Sequence, residues 1–274
     1  MNEHLPGFNA SILIRGANMR LSRLAMTICL LAFTSLAQDP LKVAPQAYKL
    51  QFENEWVKVT RVYYAPREKI ASHEHTQTAS AYVYLNDSGP VVFNHIEAGY
   101  GAITRPPTKA GSFRLYRGVQ ERHEVENQSD LPSEFLRVEF KTEPVNERSL
   151  KGRFYREAYP AGENFQKVQF ENEQVRITRL VCATGKKVNT STSASEPSLL
   201  IALSPSDFEV TTGKSKARKL KLSMGQEKWV ASNQQEQLKN VGNAPAELLR
   251  FDFKTRPLSR EELEKNKRHE HPKN

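Results

Sequence analysis

The sequence predicts an all-β chain, two tandem copies of one small barrel or sandwich behind a secretion leader, and three observations carry that expectation. Short runs place apolar residues at a period of two, as in Val57/Val59/Arg61/Tyr63, Ala81/Val83/Leu85, Phe135/Val138/Phe140 and Leu199/Ile201/Leu203. Residues two apart share a face of a strand, so each run reads as a half-buried strand bounded by Gly, Pro, Asn and Asp clusters. One strand-like segment then recurs. Phe52-Glu53-Asn54-Glu55-Trp56-Val57-Lys58-Val59-Thr60-Arg61-Val62 returns as Phe170-Glu171-Asn172-Glu173-Gln174-Val175-Arg176-Ile177-Thr178-Arg179-Leu180, with seven of eleven residues identical at an offset of 118. Neither copy carries an apolar stripe at helical spacing.

Composition narrows the class. The chain has 274 residues, 38% hydrophobic and 26% charged, with two cysteines and a mean hydropathy of −0.63, which excludes a polytopic membrane protein, a collagen and a disulfide scaffold. The net charge of +9 is modest and spread along the chain, which gives only weak support to a nucleic-acid partner, and none is expected. A small-molecule substrate or ligand is the partner expected, with a homodimer compatible.

From Met19 the chain reads as a secretory signal peptide: Arg20 and Arg23, an apolar stretch Leu24–Leu36, and the small residues Ser35 and Ala37 before the cleavage point. That stretch of thirteen residues falls short of the roughly 20 that span a bilayer as a helix, so no stable membrane insertion is expected after cleavage. Residues 1–37 are therefore assigned to the leader with an upstream extension, and the mature protein is expected in the periplasm or outside the cell. Cleavage removes Cys29 and leaves Cys182 as the lone thiol, a small buried hydrophobe on its strand.

The first copy is placed at 46–145 and the second at 163–257. Their ends match as their beginnings do: Glu134-Phe135-Leu136-Arg137-Val138-Glu139-Phe140-Lys141-Thr142 returns as Glu247-Leu248-Leu249-Arg250-Phe251-Asp252-Phe253-Lys254-Thr255 at an offset of 113. A linker is expected over 143–164. Asn86-Asp87-Ser88-Gly89-Pro90 and Ser204-Pro205-Ser206-Asp207 read as hairpin turns. A charged tail fills 258–274, with one helix from an N-cap at Ser259 and Glu262 three residues on.

Of the seven histidines, His73 and His75 are two apart on a strand and point to one face, and His123 stands on a later strand. Two imidazoles from one strand and a third from a neighbour form a facial set for a divalent metal. His73-Glu74-His75, then the strand Ala81-Tyr82-Val83-Tyr84-Leu85, then His123 with Asn127 four residues later, resemble the two motifs of the cupin superfamily. The resemblance covers nearly all of 46–257 and implies two consecutive jelly-roll barrels, a bicupin. It implies one divalent transition metal, Fe, Mn, Zn, Ni or Cu, on His73, His75 and His123. Ala79 stands where the family places a glutamate, which leaves the fourth ligand open between Gln77, Glu121 and water. At the matching offsets the second copy has Ser191, Ser193 and Glu236, a degenerate barrel without metal ligands.

The activity this implies is a metal-dependent oxygenase or isomerase, dioxygenase-like or Lewis-acid in type; the alternative is a non-catalytic module binding a sugar or organic acid. No catalytic residue beyond the metal ligands is assigned. Arg105 and Tyr116 are candidates for the pocket wall. His95 reads as a structural or exposed residue, and Lys214, Lys216, Arg218, Lys219 and Lys221 as a charged edge strand. His269 and His271 fall in the tail.

Overall fold

The computed structural model describes residues 39–75, 78–96, 101–118, 121–191 and 193–268. The leader, Gln77, His269 and His271 lie outside the described residues. A short helix α1 (Pro40–Val43) is capped by the Asp39 carboxylate, which accepts from the Leu41 amide at 3.0 Å. The first barrel follows as β1 (Tyr48–Glu53), β2 (Val57–Tyr64), β3 (Lys69–His75), β4 (Ser80–Tyr84), β5 (Val91–His95), β6 (Ala102–Arg105), β7 (Phe113–Tyr116), β8 (Glu121–Asn127), β9 (Ser133–Phe140) and β10 (Lys151–Phe154). The second comprises β11 (Phe165–Glu171), β12 (Val175–Cys182), β13 (Lys187–Asn189), β14 (Ser198–Ala202), β15 (Ser206–Thr212), β16 (Arg218–Leu222), β17 (Glu227–Val230), β18 (Glu236–Asn240) and β19 (Ala246–Phe253), and helix α2 (Arg260–Arg268) ends the described chain.

Each barrel is two antiparallel sheets. The large sheets run β1-β2-β9-β4-β7-β10 and β11-β12-β19-β14-β17; the small ones run β3-β8-β5-β6 and β13-β18-β15-β16. Apart from β10, which has no counterpart, the orders correspond strand for strand, as a duplicated jelly roll requires. Asparagine explains part of the repeated sequence. Asn54 Oδ1 accepts from the Trp56 and Val57 amides at 2.8 and 3.0 Å, and Asn172 Oδ1 from Gln174 and Val175 at 2.9 Å each, closing the first hairpin of either barrel. Asn127 and Asn240 likewise tie the turn after β8 and β18, donating to the Leu131 and Ala244 carbonyls at 2.9 and 2.8 Å. Because both copies keep it, this asparagine is a framework residue.

The central strands of the large sheets, β4 and β9 in the first barrel and β14 and β19 in the second, are buried on both faces, and the two faces serve different cores. Val57, Val59, Ala81, Val83, Leu136, Val138 and Phe140 meet Val175, Ile177, Leu199, Ile201, Leu249, Phe251 and Phe253 in one apolar layer between the barrels. The alternate residues point into the lumens. In the first barrel these are Val62, Tyr64, Tyr82, Tyr84 and Phe135; in the second they are Leu180, Cys182, Leu200, Ala202 and Leu248. The polar seams at the interface repeat as well: Arg61 pairs with Glu134 at 2.7 Å and Arg179 with Glu247 at 2.5 Å. Gln51 donates to the Gly225 carbonyl of the opposite barrel at 2.7 Å, as Arg179 does to that of Gly111 at 2.6 Å.

Two expectations are corrected. The turns at 86–90 and 204–207 are not hairpins, because β4 and β14 are already flanked on both edges, by β7 and β9 and by β17 and β19. With no free edge, the next strand crosses to the small sheet. The segment between the copies is not wholly a linker: β10 pairs with β7 and extends the first barrel's large sheet. The terminal helix starts as expected, with Ser259 and Glu262 bonding reciprocally at 3.2 and 2.7 Å.

Candidate metal centre

The register of the small sheet assembles the histidines. Strand β8 lies between β3 and β5, and His123 is opposite both His73 and His95. A bulge in β3 between Ile70 and His73 shifts the register by one residue and brings His73 level with His123. His75, two residues on, is opposite Glu121 and turns to the same lumen. The rings of His73 and His75 lie 4.9 Å apart, those of His73 and His123 4.8 Å, and those of His75 and His123 5.1 Å. All three are buried, and one nitrogen from each lies within 4.8 Å of the others.

Burial sets their charge. Desolvation pushes His73 down and His75 well down, and it holds His123 down at about 2, with the neighbouring His73 and His95 adding to the effect. Neutral imidazole is the form that binds metal. His73 Nδ1 lies 2.9 Å from the Ala71 carbonyl, an acceptor, so Nδ1 carries the proton and Nε2 keeps its lone pair. That Nε2 accepts from the Tyr48 hydroxyl at 2.9 Å, and Tyr48 is bonded in turn to Tyr64 at 2.7 Å. His123 differs: both ring nitrogens are buried and without a hydrogen-bond partner. Buried polar atoms left so call for a ligand, and three converging neutral imidazoles fit a divalent transition metal.

Other residues fall in place around this trio. Glu121 turns its carboxylate to the site, 3.7 Å from His123 Nδ1 and 4.0 Å from His95 Nε2, and bonds the Tyr116 hydroxyl. His95, Glu121 and His123 thus form a second set that shares His123. The expectation for His95 is corrected. Its strand pairs directly with β8, which puts it against the cluster at 5.4 Å from the His123 ring. Ala79 packs in the layer between the barrels and faces away from the site. Gly118 has φ of +80°, and a Cβ there would fall 2.5 Å from the Thr78 backbone, so glycine lets the chain entering β8 lie against the chain entering β4.

The cluster opens on a cavity of about 310 Å³ lined by Tyr48, His75, His95, Arg105, Arg114 and His123 among others, with Tyr116 on its wall. Among the described residues the second barrel has no equivalent histidine cluster. There β13 has no bulge, and the Thr190 amide donates to the Glu236 carbonyl at 3.0 Å. Thr190, rather than Ser191, therefore stands opposite Glu236 as His73 stands opposite His123. Glu236 is held by Arg218 at 2.7 Å and Lys228 at 2.5 Å. An internal ion pair fills the place of the imidazoles.

No protein-family model matches the sequence, and no curated protein matches it either. Solved structures do match in fold. A single-substitution mutant of salicylate 1,2-dioxygenase from Pseudoaminobacter salicylatoxidans is similar at 14% identity over 85% of this chain and 81% of that one, with a TM-score of 0.53. An oxalate decarboxylase formate complex from Lactobacillus farciminis is similar at 11% identity over 77% and 85%, TM-score 0.51. The protein YhaK from Escherichia coli is similar at 14% identity over 77% and 92%, TM-score 0.51. The fold of this chain is the cupin jelly roll, present twice.

Proposed function

We propose that this bicupin is an exported, metal-dependent enzyme of small-molecule chemistry whose single centre lies in the first barrel, on His73, His75 and His123. The observation that carries the reading is His123, with two buried ring nitrogens and no partner among the described residues, beside two imidazoles also held neutral. A bound divalent metal would supply Lewis-acid polarisation or, if redox-active, oxygen chemistry. The chain's own residues would prepare the site. The Ala71 carbonyl fixes the His73 tautomer, as an outer partner of a metal-ligating histidine does. The wall of Tyr82, Phe93 and Phe135 narrows the cavity around a small molecule.

Glu121 and His95 stand at the open side of the trio, where either can complete a ligand set or hold a proton at the carboxylate or the ring nitrogen. Similarity in fold to a salicylate 1,2-dioxygenase and an oxalate decarboxylase is consistent with such chemistry. The leader at 19–37 supports export. The test is turnover of small organic substrates by the mature protein, stripped with a chelator and reloaded with Fe(II), Mn(II) or Zn(II) in turn. Activity that follows one metal supports the proposal; metal binding without any turnover leaves a non-catalytic binding barrel.

A further inference from the structure

Five arginines, Arg105, Arg114, Arg117, Arg137 and Arg153, line the cavity with one carboxylate, Glu121. Guanidinium groups therefore outnumber carboxylates in its lining. Arg137 is accounted for, since it pairs with Glu139 at 3.3 Å, and the second barrel repeats the pair as Arg250 and Asp252 at 3.1 Å. Arg105 and Arg114 are not. Arg105 is buried, and neither its Nε nor its Nη1 has an acceptor; the Arg114 Nε is buried and unpaired too.

Ring faces hold both guanidinium planes. Arg105 lies 4.4 Å from the Phe93 centroid and 5.2 Å from that of Phe135, and Arg114 lies 4.7 Å from Tyr82. Ring faces fix orientation and leave the N–H edges unsatisfied. Burial and the like charge of Arg105 push Arg114 below the usual arginine range, although Glu121 acts in the opposite direction. The second barrel supplies the control. In matching registers Arg105, opposite Val91, becomes Leu220, opposite Phe208, since Val91 and Phe208 stand across from Asn127 and Asn240. Arg114, opposite Tyr82, becomes Lys228, opposite Leu200, and Lys228 is neutralised by Glu236. Unpaired buried cations occur in the barrel that keeps the histidines and are absent at these positions in the one that lost them.

We propose that Arg105 and Arg114 form a carboxylate-binding subsite, so that the molecule taken by the first barrel is a small organic acid with its anionic end on the two guanidinium edges and its body toward His75 and His123. The inference rests on the cavity being the substrate site. Three unpaired nitrogens suit the two oxygens of a carboxylate, which charge-assisted hydrogen bonds bind strongly. The cavity volume, at the small end of ligand pockets, limits the acid to a compact one.

Calorimetric titration of the mature protein, metal-loaded and chelator-stripped, would use acetate, succinate and benzoate, their neutral amides, and inorganic phosphate. At least one acid should bind below about 1 mM and its amide not at all. Arg105→Gln and Arg114→Gln should each weaken that acid tenfold or more, with metal content unchanged by elemental analysis. Arg105→Lys should recover only part of the loss, because it restores charge without the planar fork. If Arg105→Gln does not fold by circular dichroism, Arg114→Gln decides. The proposal is overturned if amides bind as well as acids, if phosphate binds tighter than every acid, if no acid binds in that range, or if the folded variants keep wild-type affinity. Metal content on the same samples separates this outcome from failure of the metal centre: an acid held by Arg105 in a protein that takes up no metal would leave the subsite standing and remove the centre.

Discussion

Tyr48→Phe should strengthen metal binding, although the residue touches a ligand. The Tyr48 hydroxyl donates to His73 Nε2 at 2.9 Å, and Nε2 is the nitrogen left for a metal once Nδ1 is committed to Ala71. Burial, with Tyr64 beside it, pushes the Tyr48 hydroxyl well up, so it remains a neutral donor across the working pH range. A metal taking Nε2 must displace that bond, whose net worth is about 0.5–1.5 kcal/mol. Removing the competitor should therefore raise affinity about 2- to 12-fold. Phenylalanine keeps the ring edge against His73, 5.0 Å between centroids, so the imidazole stays in place. The variant should lose about 1–2 kcal/mol of metal-free stability, since the buried Tyr64 hydroxyl loses its partner. Competition against a chromophoric chelator measures the first effect and urea denaturation the second. Unchanged or weaker metal binding in Tyr48→Phe would refute the assignment of Nε2 as the ligand atom.

Glu236→Ala should leave metal content unchanged and destabilise the second barrel by about 2–4 kcal/mol in urea melts, because the largely buried Lys228 loses its partner. Phe251→Ala, in the layer between the barrels, should cost about 3–5 kcal/mol by the same assay, and a loss below about 1 kcal/mol would argue against a shared core. Stability of the metal-free protein should fall on acidification. The folded-state pKa of His73, His75 and His123 lies below the unfolded value, so under about pH 6.5 the unfolded chain binds protons the native one refuses. The contribution is whole above that pH and is lost downward through the folded values, reaching about 2 for His123. Denaturation midpoints from about pH 8 to about pH 4 test this, and stability that rises toward acid would contradict it.

What the sequence made legible was local. The period of two identified the paired strands, and the same period put His73 and His75 on one face with no tertiary information. Asn54 and Asn172 anchored the repeat because a side chain that closes a hairpin acts within three residues of itself. His95 had no such signal. A single histidine on a strand has no spacing to read, and its place beside His123 depends on β5 pairing with β8, a contact between distant segments. The bulge that separates His73 from its counterpart Thr190 is likewise invisible in the offsets, which pointed to Ser191. Strand β10, Lys-Gly-Arg-Phe, shows no apolar alternation because it is an edge strand with three of its four residues exposed. Arg114 between Phe113 and Leu115 was the available clue to the cavity's charge, since a cation inside an apolar strand asks for a reason.

The most direct test is the metal content of the mature protein, purified without a histidine tag and measured by elemental analysis beside a His73→Ala/His75→Ala double variant. One equivalent of a transition metal per chain in the wild type and none in the folded variant is the predicted result. Two equivalents in the wild type, or a metal retained by the double variant, would contradict a single centre on His73, His75 and His123.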